Sequence, residues 1–211
     1  EIFNVYKKIF FLNYAMYSFF SVSLFCLIGP FIQLWMGETF LFPKATIVLI
    51  TINFYTFGMR KSITMVKNSA GLYRPDRYFA LLEAVINLGL AFLLVGKLGL
   101  NGVIIANILS SMVIPFWTQP YVVYKNIFNR SVTSYYRKHV LYAVTTLISC
   151  IFTYYICSLF EVEGFLKLVI NAMICVVVPN VINIFIFYKT EEFKYLLGIA
   201  KNIFKQFRMR K

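Results

Sequence analysis

Acidic residues are scarce in this sequence: eight Asp and Glu stand against 21 Lys and Arg. Charge of either sign is thin as well, at 14% of 211 residues, where a soluble domain carries about a quarter. That shortage excludes an ordinary water-soluble globule. Histidine is nearly absent. His139 stands alone beside Arg137 and Lys138 with no acid adjacent, so neither a histidine-based metal site nor a catalytic triad is available, and it reads as an interface residue. The four cysteines, Cys26, Cys150, Cys157 and Cys175, include no Cys-x-x-Cys pair. Their spacing suggests neither a disulfide nor a metal site, and they read as small packed residues. No glycine-rich phosphate cradle and no paired acidic motif occurs. Nothing here points to an enzyme or to a resident cofactor.

What is present is apolar: 60% of the residues are hydrophobic. A helix crossing a bilayer needs about 20 mostly apolar residues, and six segments qualify. They run from Ile9 to Met36, Pro43 to Met59, Tyr78 to Gly96, Leu100 to Trp117, His139 or Val140 to Phe160, and Phe165 to Tyr188. The first is too long for one straight span, and Gly29-Pro30 is expected to kink or break it. Trp35 and Trp117 fall near run ends, where indole rings favour the interface.

The cations are not scattered. All but Lys44, Lys97 and Lys167 fall before the first run, after the second, after the fourth or after the sixth. Every second gap is therefore basic, which places those gaps and both termini in the cytoplasm by positive-inside reasoning. The opposite connections are short, leaving no room for a folded catalytic loop. A net charge of +13 spread over four segments, not gathered on one face, argues against nucleic acid and for anionic lipid headgroups.

The expected fold is all-α: a polytopic bundle of six transmembrane helices over 1–188, then a basic amphipathic tail over 189–211. In that tail Thr190 is an N-cap, Glu191 and Glu192 occupy the first turn, and Phe193, Leu196, Leu197, Ala200, Ile203, Phe204 and Phe207 recur at helical spacing. This reads as an interfacial helix. The stretch from Tyr124 to Lys138 reads the same way, more weakly.

Few residues inside the runs carry chemistry. Glu83 is the one acid within a span, at an insertion cost of about 2.5 kcal/mol or more at mid-helix. Asn87 follows on the same helix face. Two placements fit Glu83: a polar cavity, or the headgroup level about 9 Å along the helix from Arg77. Arg60 and Lys67 share a face of a helix expected to continue from Pro43 to about Ala70, a basic stripe suited to a diphosphate or another anionic headgroup, or simply to orientation. Asn53, Asn107, Asn171, Asn180 and Asn183 place amides in other spans, as interhelical hydrogen-bonding groups or cavity residues. Gly102, Ala106 and Ser110 form a small-residue stripe that permits close helix packing.

The order of several short stretches resembles the C-terminal half of bacterial polysaccharide (O-antigen or capsule) repeat-unit flippases. These belong to the multidrug/oligosaccharidyl-lipid/polysaccharide exporter superfamily. The stretches are Asn53-Phe54-Tyr55 with Gly58-Met59-Arg60, Gly71 to Tyr78, Leu82 to Leu88, Gly99 to Val103, Phe116 to Lys125, and Thr190 to Leu196. The resemblance covers essentially the whole chain. It implies one lobe of a two-lobed transporter of undecaprenyl-diphosphate-linked oligosaccharide in the bacterial inner membrane. The lipid bilayer, the anionic lipid-linked oligosaccharide and a missing N-terminal lobe are the implied partners. Arg60, Lys67, Glu83, Asn87 and Asn53 would then be cavity residues. The chain opens Glu1-Ile2-Phe3, so a fragment, inactive alone, is expected. A cation antiporter of the same superfamily would want more intramembrane acids than Glu83. An O-antigen polymerase or membrane glycosyltransferase would want larger outer loops. A non-transporting scaffold stays open.

Overall fold

The computed structural model describes residues 1–74, 77–160, 162 and 164–209, with side chains for all of these except Ala200 and 202–209. Pro75 and Asp76 of the central motif, Glu161 of a short connection, and Arg210 and Lys211 lie outside the described residues. So do the side chains of Ile203, Phe204 and Phe207 in the tail.

Every regular element among the described residues is helical. They are α1 (Ile2–Met36), α2 (Lys44–Ser69), α3 (Arg77–Leu98), α4 (Leu100–Val113), α5 (Pro115–Val123), α6 (Thr133–Ser158), α7 (Gly164–Phe187) and α8 (Glu191–Met209). Among the described residues, five helical segments are long and apolar enough to cross a membrane: α1, α3, the stretch Leu100–Phe128, α6 and α7. This is the composition of a membrane protein. The second expected span, α2, is 26 residues long but falls outside that set. Asn53, Gly58, Arg60, Lys61 and several hydroxyl residues interrupt its apolar character.

Other expectations shift in detail. α1 starts at Ile2 and runs unbroken through Gly29 and Pro30 to Met36, about 52 Å of helix. The break falls instead in the fourth segment. Pro115 cannot donate to the Ser111 carbonyl, so α4 stops at Val113 and α5 restarts with Pro115 in its first turn. Pro120 likewise strips the Phe116 carbonyl of its helical donor, and the Tyr136 hydroxyl of α6 donates to that oxygen at 3.3 Å. The segment from Tyr124 to Lys138 is not one interfacial helix. A π turn over Tyr124–Phe128 ends at Asn129 in the left-handed region, and α6 begins at Thr133.

α1 is the central column, packing on α2, α6, α7 and α8. Its first half carries the main core, where Tyr6, Phe10, Phe11 and Tyr14 meet Met59, Ile63, Tyr135, Tyr142 and Phe187. Tyr14 stacks on Tyr142 at 4.2 Å between ring centroids. Its hydroxyl donates to Asn183 of α7 at 2.5 Å, and Thr146 of α6 donates to Ser18 at 2.9 Å. Asn180, by contrast, donates to Val176 of its own helix.

α3 is peripheral, with no buried residue, and packs chiefly on α4. The small stripe explains the contact: Gly102, Ala106 and Ser110 are all buried. A Cβ on Gly102 would lie 2.5 Å from the Leu94 carbonyl oxygen. The α3–α4 turn is made by Gly99 at φ +55°, a conformation that suits glycine.

α8 is held by its first turns. Thr190 caps it, accepting from the Phe193 N–H at 3.4 Å. Phe193 and Leu196 lie against the aromatic core, Lys8 sits 4.0 Å from the Tyr195 ring centroid, and Lys138 of α6 pairs with Glu192 at 2.6 Å. Partial burial pushes the Glu192 carboxyl up, but the hydrogen bond from Lys138 and its charge outweigh this and hold the pKa below the ordinary value of 4.5.

Two outcomes follow. Gly102→Ala should destabilise the protein by about 1–3 kcal/mol in thermal unfolding. Gly89→Ala, on the open face of α3, should be neutral or stabilising by up to about 1 kcal/mol. Because the folded Glu192 pKa is depressed, its contribution to docking α8 is full above pH 4.5 and is lost as pH falls through the lower folded value. The protection factors of the α8 amides against hydrogen exchange should fall over that acid range. In Glu192→Ala they should already be low at neutral pH and should lose that dependence.

Candidate functional site

Polar side chains of α2 converge on those of α3, α4 and α5. Arg60 stands about two-thirds along α2 and donates through one Nη to Glu83 of α3 at 2.8 Å. The same nitrogen lies 3.3 Å from the Ser111 hydroxyl, on the last turn of α4 where Pro115 interrupts the helix. The Arg60 and Glu83 side chains keep 20% and 26% of their surface. The pair is therefore reachable and neither fully solvated nor sealed. One turn further along α2, Thr64 donates to the Gln119 side-chain oxygen of α5 at 2.7 Å. One turn along α3 from Glu83, Asn87 donates to the Asn107 oxygen at 2.6 Å and to the Ser110 hydroxyl at 3.1 Å, both on α4.

These contacts form a ladder of polar groups across four helices. Its logic is that of the hydrocarbon interior, where each polar group must find a partner within the protein. The helix break at Pro115 lies between Ser111, which meets Arg60, and Gln119, which meets Thr64 one turn further along α2. A small cavity of about 10 Å³, enough for roughly one water, adjoins the guanidinium and is lined by Thr56, Ser111, Phe116, Tyr135 and His139.

Of the five residues singled out in the sequence, the structure brings three into this ladder: Arg60, Glu83 and Asn87. Lys67 lies two turns past Arg60 and is 8% exposed. Asn53 is half-buried on α2, and no hydrogen bond ties its side chain to the ladder. Ser111, Gln119 and Thr64 belong to the site without having been selected, and Asn107, one of the amides read as interhelical or cavity groups, joins it through Asn87. The Pro115 interruption was the available signal for Ser111 and Gln119. His139 is 8% exposed, with its ring centroid 5.2 Å from that of Phe116 and 5.6 Å from that of Tyr135. It is a packed residue near Arg60.

A second cluster lies towards the other end of the bundle, with Cys157 on the last turn of α6, Cys26 in the second half of α1 and Cys175 midway along α7. The Cys26, Cys157 and Cys175 sulfurs, from α1, α6 and α7, lie within 4.8 Å of one another and are buried. Spacing along the chain had suggested no metal site there. The three residues meet because three separate helices cross at that level.

A double-mutant cycle on Thr64→Val and Gln119→Leu should show a coupling of about 0.6–1.7 kcal/mol in unfolding stability. Thr64→Val alone should be the costlier change, because it strands a buried amide. Comparison of the chain with family models, characterised proteins and solved structures finds no match in any of the three.

Proposed function

We propose that this chain forms one lobe of a flippase that moves undecaprenyl-diphosphate-linked oligosaccharides across the bacterial cytoplasmic membrane. The observation that carries the reading is the Arg60–Glu83 pair, a cation held half-buried at the junction of α2, α3 and α4. The guanidinium is engaged through a single Nη, which leaves the rest of its planar donor fork for a second acceptor. A diphosphate offers two charge-assisted bonds where Glu83 takes one, so exchange of Arg60 from carboxylate to phosphate favours binding. Glu83 holds the arginine in position between cargoes and takes it back afterwards.

In this reading α2 also crosses the membrane, as the second of six spans, its polar side turned to the ladder. The basic gaps and both termini face the cytoplasm. Residues 1–188 form the lobe, and 189–211 form a basic helix on the inner leaflet. A missing N-terminal lobe supplies the opposite wall of the cavity. The antiporter alternative draws less support, because Glu83, the acid it would use, is already engaged by Arg60.

In the full-length parent protein, Arg60→Ala and Glu83→Gln should each lower surface-glycan export in a complementation assay by at least about tenfold, the cost of one charged hydrogen bond. Membrane insertion should be unchanged. Lys61→Ala, which alters an exposed cation on the adjacent position, should export normally. Normal export with Arg60→Ala would remove the assignment.

A further inference from the structure

We propose that Cys26, Cys157 and Cys175 form a binding site for a soft monovalent metal cation, Cu(I), towards the end of the bundle remote from both termini. The site is independent of the diphosphate reading and uses none of its residues.

Four observations converge on it. The first is the donor set: three sulfurs within 4.8 Å of one another, from three different helices. Three converging thiolates with no imidazole or carboxylate select a thiophilic d¹⁰ ion. The second is Asn171 of α7. It is 4% exposed, and its side-chain oxygen is buried without a hydrogen-bond partner. It lines the same cavity as Cys26 and Cys157. A buried, unpartnered amide oxygen in a helix bundle is costly unless something occupies the space before it.

The third observation is set by two prolines. Pro30 lies inside α1 and Pro179 inside α7, each four residues beyond a cysteine of the cluster. Proline has no N–H, so the Cys26 and Cys175 carbonyls lose their helical donors. Two electron-rich backbone oxygens are thus released beside two of the three sulfurs, which favours a cation there.

The fourth is access and charge. The cavity holds about 300 Å³, and its wall includes Lys44 and Lys167. Each thiol that ligates gives up its proton. Three thiolates around one monovalent cation carry a net charge of −2, and the two ammonium groups balance it. Those two lysines are among the three cations that break the basic-gap pattern, and this site gives them a role.

The experiment uses the whole chain in detergent or nanodiscs, reduced and without oxygen, titrated with Cu(I) from a chromogenic Cu(I)-chelating competitor. One equivalent should bind per chain. Relative to the metal-free chain, loading should slow maleimide modification of Cys26, Cys157 and Cys175 and leave the rate at Cys150, which packs beside the cluster without joining it, unchanged. Cys26→Ser, Cys157→Ser and Cys175→Ser should each weaken Cu(I) binding by at least about 100-fold, since loss of a group that only supports a ligand already costs about 10–100-fold. Cys150→Ser should bind as the parent does. The protection pattern in the unmodified chain stands even where a serine variant fails to fold. Uptake of Zn(II) without Cu(I), alkylation of the trio unslowed by loading, or a disulfide within the trio in protein purified without reductant would each overturn the proposal.

Discussion

In hydrocarbon a backbone or side-chain polar group has no water to turn to, so each must be satisfied inside the protein. The rest of this structure follows from how that demand is met around its prolines. Pro120 frees the Phe116 carbonyl, and Tyr136 reaches across from α6 to supply a proton. Pro115 ends α4 and leaves Ser111 at the break, where Arg60 meets it. Pro30 and Pro179 free the carbonyls of Cys26 and Cys175 at the thiol cluster. Both candidate sites thus coincide with gaps that proline opens in a helical ladder. In a membrane such gaps persist where neighbouring helices or a ligand fill them.

The same constraint shapes the contacts between helices. Lipid chains are as apolar as leucine, so apolar contact alone does little to draw spans together. Association here rests on close approach and on hydrogen bonds. Gly102, Ala106 and Ser110 let α3 lie against α4. Gly58 lets α1 and α2 meet closely, since a Cβ there would fall within the Tyr17 ring. Tyr14–Asn183, Thr146–Ser18 and Thr64–Gln119 then join α1 to α7, α6 to α1, and α2 to α5. Each is worth about 0.6 kcal/mol on average, too little to hold a bundle alone but enough to fix which faces meet.

The polar ladder lies on one side of the molecule, between α2 and the α3–α4–α5 group, and the thiols lie between α1, α6 and α7. Between these regions α2 and α6 line an apolar cavity of about 440 Å³ with α1 as its floor. The arrangement separates a charged, partly open site near the basic end from a buried, soft-donor site near the other. The two sites share no residue.

Much of this was legible in the sequence. Apolar runs, basic gaps and the Thr190 cap are local or additive properties, and they established a helical membrane protein; five of the six expected runs meet the length and apolarity of a span among the described residues, and the second, α2, does not. Glu83 could be singled out because charge inside an apolar run is costly in any fold, and Arg60 because it shares a helix face with Lys67. Their direct pairing could not be read, since it depends on α3 lying beside α2 at one level, and no periodicity along a single helix encodes that. Of the kink or break expected at Gly29-Pro30, the break does not occur, and α1 is one helix to Met36. The thiol cluster was invisible for a related reason. Metal-ligand spacing is a rule for ligands on one turn or one loop, and Cys26, Cys157 and Cys175 meet only through the crossing of three helices. Sequence alone determined which segments leave water, because that is decided residue by residue by transfer energy. Tertiary structure alone decided which polar groups face one another, because that depends on helix rotation and depth.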